Sequence, residues 1–379
     1  MASARPPEVD WYLGRIEQAL PRETPEANAG HPKVKATVAR ALSLWNVGEK
    51  VLVFCHYRAT GRALERHISD AVDRAIVHAA STRFGLSEQE ADARMERMGA
   101  RLMRMDDPLR QEADQQLDQL VQGSAGFKSE EQLRIVEVMR RFFRTPAFLA
   151  RFFPAHDNAG AIAEALEQQD ASGMTLDHRF RRFCEFLLQR SETERAEYLQ
   201  ALDDLQTGDR RTRARTEDDE SSPARLVANV RLVNGATNDD TRRRLLLAFN
   251  TPFFPEILVA SSVLAEGVDL HLDCRFIIHH DLCWNPSTLE QRTGRVDRLG
   301  AKAEQAVAPI HVYLPYVAET QDEKMFRVVQ DRERWFQVVM GESFAIDERS
   351  TDRQAQRVPL PVTLANRLAL KLEIDASDR

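Results

Sequence analysis

Gln291, Arg295 and Arg298 are the residues whose types and spacing point most directly to chemistry. They lie in Gln291-Arg292-Thr293-Gly294-Arg295-Val296-Asp297-Arg298-Leu299-Gly300, with the arginines four and seven positions after the glutamine. On a helix that spacing puts all three side chains on one face. A turn at Trp284-Asn285-Pro286 and the string Ser287-Thr288-Leu289-Glu290, which fits a capping box, mark the helix start. Two fixed guanidinium forks suit a phosphate that gains charge in a transition state, the arginine-finger role in phosphoryl transfer. The competing reading is a solvated helix face with spare arginines.

Such side chains need a scaffold, and the flanking sequence supplies one. Lys50 to Cys55, Ile257 to Ala260 and Arg275 to His280 are short apolar runs separated by polar loops and helices. They read as buried parallel strands. Sheets of that kind place ligands at the loops leaving their carboxyl ends. Ser261, Gly267 and Asp269 leave one such end, His56-Tyr57-Arg58 another, and the arginine helix follows a third.

Together these strings resemble the second RecA-like lobe of superfamily-two helicases, in the Swi/Snf branch and within it the bacterial RapA-like translocases. Val51 to Thr60 is similar to helicase motif IV, Ala260 to Leu270 to motif V, and Gln291 to Gly300 to motif VI. Leu232 to Thr237 with Arg242 to Phe249 resembles the intervening strand and helix, and Asp281 to Pro286 is the most family-specific string. Asp297 departs from the usual Swi/Snf pattern between the fingers.

The resemblance implies an α/β fold, a RecA-like parallel sheet flanked by helices. It also implies that Arg295 and Arg298 are the fingers and that Gln291 positions the attacking water or bridges the lobes. Gly267 and Glu266 would lie near the γ-phosphate and Asp269 near the ribose hydroxyls. His56, Tyr57, Arg58, Ser261 and Ser262 would line a nucleic-acid track, with duplex DNA the expected occupant. ATP and Mg2+ are the implied cofactors, held mainly by a first lobe. Neither the phosphate loop ending in Gly-Lys-Ser/Thr nor the acidic metal-binding motif occurs in these residues. That lobe is therefore expected in trans or in a longer parent protein. The alternative is a non-catalytic interaction module, a truncated helicase remnant acting through its helical insertion.

At 379 residues the chain has room for two or three domains, and nothing in its net charge of −7 marks a generic polyanion binder, which a translocase gripping the backbone in a local cleft need not be. Cys55, Cys184, Cys274 and Cys283 lack metal-ligand spacing, and no metal site is expected. No apolar run nears membrane-spanning length, so a cytoplasmic protein without membrane contact is expected.

The remaining divisions follow from pattern. Residues 1–30 read as a helix near Val9 to Leu20 and a linker, and the lobe as 31–72 with 226–340. Residues 73–225 read as a separable helical insertion domain, and 341–379 as a tail. Within the insertion, Met95, Met98, Leu102 and Met105 form one apolar stripe and Leu133, Val136, Met139 and Phe143 another. Thr207 to Pro223 reads as a charged, flexible return linker. A last strand at Ile310 to Leu314 and a closing helix at Thr320 to Met340 complete the lobe.

Overall fold

The computed structural model describes residues 31–123, 126–204, 229–261, 269–283 and 285–340. The expected helix near Val9 to Leu20, the return linker and the tail lie outside the described residues. Two compact units divide the chain, Met1–Asp281 with Gln291–Pro315, and Leu282–Glu290 with Tyr316–Arg379. Within the second unit, a helix spans Gln321–Met340, and the Tyr316 and Phe326 rings stack 4.5 Å apart.

The first unit is built on a five-stranded parallel sheet, β1 (Lys50–Phe54), β2 (Val230–Val233), β3 (Ile257–Ala260), β4 (Cys274–His279) and β5 (His311–Tyr313). The strand order is β2-β3-β1-β4-β5, so the first strand in sequence is the central one. β1, β3 and β4 are buried along their whole length, as their unbroken apolar runs demand. Alternation splits their side chains between two layers. Leu52, Leu258 and Ile277 pack with Leu245 and Phe249 of α10 (Asp239–Phe249). Val51, Val53, Ile257, Val259 and Ile278 face a much larger core that includes α1 (Pro32–Asn46) and α2 (Arg58–Phe84). Gly61 permits the close approach of α2, because a Cβ there would meet Leu232 at 3.0 Å and the Cys55 sulfur at 3.1 Å. This is the RecA-like parallel sheet flanked by helices that the motifs imply.

Seven further helices make the insertion, α3 (Glu88–Arg101), α4 (Pro108–Gln122), α5 (Ser129–Phe143), α6 (Pro146–Arg151), α7 (Ala161–Leu166), α8 (Leu176–Leu188) and α9 (Glu192–Asp204). The first stripe is buried at Met95, Met98 and Leu102, but Met105 is exposed because α3 stops at Arg101. In the second, Leu133 is exposed, and Ile135, Val138 and Phe142 share the buried face instead.

The boundary expected at Asp73 falls inside α2, which runs unbroken from the sheet into the insertion. Aromatic packing crosses the same border. Phe253, on the loop entering β3, lies 5.7 Å from Phe142, 5.4 Å from Phe180 and 5.3 Å from Phe183. A single hydrophobic cluster thus holds both the sheet face and the insertion helices.

Buried charge reinforces that junction at the amino-terminal edge of the sheet. Lys302 Nζ donates to Glu49 at 2.8 Å and to Asp170 of the insertion at 2.7 Å. Arg275 donates to the same Glu49 at 2.8 Å, and Arg179 grips Asp273 with bonds of 3.2 and 3.0 Å. Arg151 donates to Glu256 and to the Trp45 carbonyl, with its guanidinium 4.2 Å from the Trp45 ring centroid. Gly48, at φ 85°, leaves room for Asp170, whose Cβ would stand 3.0 Å from any side chain there. Burial pulls the Lys50 ammonium down to about 7, against the pull of Asp273 and Glu256, and its Nζ donates to the Phe249 carbonyl at 2.9 Å.

A shared core is the opposite of what a separable module requires. Arg179→Met, which leaves Asp273 buried without its fork, is expected to cost about 3–5 kcal/mol. Urea unfolding followed by circular dichroism should show one transition for the first unit in both proteins. An early, separate loss of the insertion helices would refute the common core.

Asp273 also sets an acid limit. Burial raises its pKa, but the Arg179, Lys302 and Lys50 charges together outweigh that and hold the carboxyl at about 2, below its usual 3.8. A depressed carboxylate contributes stability above its unfolded pKa and loses it as pH falls through the folded one. Wild-type stability should therefore drop by up to roughly 2 kcal/mol more than that of Asp273→Asn between pH 4 and about 2. Parallel melting curves for the two proteins across that range would count against the pairing.

Candidate nucleotide and nucleic-acid site

The carboxyl ends of β1, β3 and β4 lie side by side, with Phe54 in register with Ala260 and His279. Backbone bonds lace the exits together. The Cys55 N–H donates to the Ala260 carbonyl at 2.9 Å, and the His280 N–H to the Phe54 carbonyl at 2.8 Å. The His56 N–H donates to the Asp281 carboxylate at 2.7 Å. His56, Tyr57 and Arg58 emerge there exposed, the first two rings meeting edge to face at 5.0 Å. An exposed tyrosine beside an exposed arginine at a helix start offers a stacking face and a phosphate ligand.

Ser261 departs from expectation. Its backbone N–H donates to the Val233 carbonyl at 2.9 Å, and its hydroxyl is buried without a hydrogen-bond partner among the described residues. Ser262, Glu266 and Gly267 lie outside the described residues.

Asp269 and Arg298 come together. Arg298 Nε donates to the Asp269 carboxylate at 3.1 Å, and both side chains are 48% exposed. The Leu270 N–H donates to the Arg295 carbonyl at 2.7 Å, which ties the residues after β3 to the Arg295–Arg298 turns. A half-exposed pair of this kind is worth about 0–1 kcal/mol. An incoming phosphate or ribose hydroxyl can displace it at little cost.

The one-helix arrangement of Gln291, Arg295 and Arg298 does not occur. Helix α11 spans Pro286–Thr293, and only Gln291 is on it. Both arginines follow on turns, where Arg295 donates its N–H to the Arg292 carbonyl at 3.2 Å. The physical reason is tertiary. The Arg295 carbonyl accepts from the Leu270 N–H and Val296 turns fully into the core beneath, two anchors that hold the segment in turns. Gly294 weakens the helix at the same place. The capping box is absent as well, because the Asn285 side chain accepts from the Ser287 N–H at 3.1 Å and serves as the cap.

Sequence reasoning passed over Arg292 and His279. Arg292 is buried, with its guanidinium 5.1 Å from the centroid of the Phe54 ring. Phe54 in turn stacks on His279 at 5.5 Å, and His279 Nε2 lies 3.4 Å from the Thr293 hydroxyl. Burial, then the Arg292 charge, pulls His279 down to about 3 and keeps it neutral. The available signal was the paired histidines closing an apolar strand. His280 Nδ1 meets the Thr37 hydroxyl at 2.8 Å, which makes the second histidine a tie to α1.

Residues 183–300 match the family described as the helicase conserved C-terminal domain. That similarity covers less than half of the chain. The match begins within α8, so β1, the central strand of the sheet, lies upstream of it. An uncharacterized ATP-dependent helicase, YqhH of Bacillus subtilis, is 33% identical over 87 residues, covering 23% of this chain and 14% of that protein. The RNA polymerase-associated protein RapA of Vibrio cholerae is 35% identical over 82 residues, covering 22% of this chain and 7% of its own length. The resemblance to the RapA-like branch thus reappears in named relatives. A crystal structure of the C-terminal part of the Fun30 ATPase domain aligns at 15% identity over 37% of this chain and 38% of that one, with a TM-score of 0.24. The matched segments span only 14% and 7% of the lengths of those two relatives. Among the described residues, no cluster of histidines, cysteines and carboxylates is arranged to hold a metal ion, and no helix is long and apolar enough to cross a membrane.

If the Asp269–Arg298 pair is a ligand-exchangeable contact rather than a structural one, Asp269→Asn should lower stability by less than about 1 kcal/mol. Val296→Ala, which removes two buried carbons, should cost about 2 kcal/mol. Urea titrations of both variants make the comparison, and equal losses would mark Asp269 as structural.

Proposed function

We propose that this chain supplies the second lobe of an ATP-dependent, Swi/Snf-like DNA translocase working in the cytoplasm. The first lobe, with its phosphate loop and metal-binding carboxylates, comes from another chain or from a longer parent protein. The observation that supports this reading best is the meeting of Asp269 with Arg298 at 3.1 Å on the carboxyl edge of a parallel sheet. Motif V and motif VI residues thereby converge where such sheets take ligands.

In this reading Arg295 and Arg298 stabilise the γ-phosphate as its charge develops, and Gln291 orients water or bridges the lobes. Gly267 and Glu266 approach the phosphate, and Asp269 accepts from the ribose. Because the arginines sit on turns rather than on a helix, their reach is set by the Leu270–Arg295 bond and by buried Val296. His56, Tyr57, Arg58, Ser261 and Ser262 follow the nucleic-acid backbone, with Ser261 offering only its backbone unless its buried hydroxyl is uncovered. ATP and Mg2+ bind mainly to the first lobe, and duplex DNA is the track.

The chain alone is expected to hydrolyse no ATP at a meaningful rate, since neither nucleotide nor Mg2+ is held for attack. DNA-stimulated turnover by the pure chain, abolished in Arg295→Ala, would disprove the division into lobes. With a first lobe added, Arg295→Ala or Arg298→Ala should depress turnover by about 10³–10⁵ while nucleotide binding changes less. Lysine at either position should not rescue, because an ammonium cannot reproduce the planar fork. Near-normal turnover in the lysine variants would reassign the arginines to structure and favour a non-catalytic interaction module.

A further inference from the structure

At the amino-terminal edge of the sheet, the turn between α1 and β1 and the insertion enclose an open cleft of about 350 Å³. Cavities that hold small molecules start at about 300 Å³. Asn46 and Val47 come from the turn, Arg83 from α2, Phe152 from the end of α6, and Gln168 and Gln169 from the loop before α8. The cleft is held open by its own frame. The Val47 carbonyl accepts from the Ala171 N–H at 3.0 Å, and Gly48 packs directly on Asp170.

Charge in the lining is balanced except at one residue. Arg151 is paired with Glu256, and Asp170 with Lys302. Arg83 is half-buried and forms no ion pair among the described residues. Of the five N–H groups of its guanidinium, two donate to the Phe153 and Arg151 carbonyls at 3.1 and 2.5 Å, and three remain. Burial pulls the Arg83 pKa below its usual value, and Glu164, whose charge opposes that, is engaged by His156 at 3.0 Å. The side-chain amides of Asn46, Gln168 and Gln169 form no hydrogen bond among the described residues.

A guanidinium drawn partly out of water, with donors to spare, is completed by an anion, because charge-assisted hydrogen bonds are the strong ones. Three amides on the same lining can add donors to that anion. Val47, 48% exposed, and Phe152 supply an apolar wall beside them. We propose that this cleft binds a small organic anion, with its carboxylate or phosphate group on Arg83 and its apolar body against Val47 and Phe152. Such a ligand bridges the α1–β1 turn and the insertion, so its binding stabilises their shared core. The site lies at the other edge of the sheet from Asp269 and Arg298, and the inference is independent of the translocase reading.

The probes are benzoate and phenyl phosphate, which share a ring and differ in head group, with neutral benzamide as the control. Ligand-observed NMR titrations of the full chain, at constant ionic strength, should give a Kd of about 1–10 mM for at least one anion. Benzamide should show no saturation up to about 20 mM. The tighter anion identifies the head group, and near saturation it should raise Tm by about 2 °C or more. Arg83→Gln should weaken binding about tenfold or more. Because Arg83 also holds two carbonyls, exposed Val47 gives a charge test that spares the fold. Val47→Lys should tighten the anion and Val47→Asp weaken it, each by about threefold or more, with unchanged circular dichroism. Saturation by neither anion, equal binding of benzamide, or a Kd indifferent to both Val47 variants would overturn the site. Each of those results leaves the translocase reading standing.

Discussion

Glu49 accepts from both Arg275 and Lys302, and Lys302 reaches on to Asp170, all nearly sealed from solvent. The rest of the first unit depends on this buried relay. Removing several charges from water is costly, and the cost is offset only where geometry and partners are complete. Here completion needs residues from the start of β1, from β4, from the short helix that begins at Lys302 and from the insertion. No subset of those elements can satisfy it alone. The relay therefore fixes the position of Lys302, and through the short chain from Arg298 to Lys302 it helps fix the turns that carry the arginines. The Lys302 N–H adds a bond to the His271 carbonyl at 2.9 Å, two residues from Asp269.

The two edges of the sheet thus divide the work. The amino-terminal edge is dry, crowded and ionic, and it holds the insertion in place. The carboxyl edge is open, with His56, Tyr57, Arg58, Asp269 and Arg298 at least half exposed or on the surface. Between them run the apolar strands, with Phe54 placed between His279 and Arg292 just below the open edge. A neutral histidine and a buried arginine on one aromatic ring give the turns that carry Arg295 and Arg298 a stiff floor. Such support lets half-exposed groups keep their places without strong bonds of their own.

Much of this was legible in the sequence because parallel strands buried on both faces announce themselves as unbroken apolar runs. Lys50 to Phe54, Ile257 to Ala260 and Cys274 to His279 were all located to within a residue or two. The order of motifs likewise placed Asp269 and Arg298 at one edge. What failed was local periodicity set against tertiary demand. A helix through Arg298 satisfies the spacing of polar residues, but the pattern carries no record of Val296 being drawn fully into the core. The insertion was read as self-contained because its apolar stripes are sufficient for a core. Nothing in a stripe reveals that Phe253, some seventy residues beyond Phe183, completes it. Long-range ion pairs such as Arg179–Asp273 are invisible for the same reason.

Placing the central strand first in the chain has a consequence for synthesis. Leu52 pairs with Leu258, 206 residues later, and with Ile277 beyond that. At about 5–20 residues per second, β1 waits roughly 10–40 s on the ribosome before either neighbour exists. During that interval its apolar faces would be an open edge prone to aggregation. Helices α2 to α9 are made in the gap, and their contacts with one another are largely local, which favours early formation. Because they pack on the face that carries Val51 and Val53, they can shelter β1 until its partners arrive. The insertion then serves the nascent chain as a built-in escort, delaying sheet closure without leaving its first strand bare.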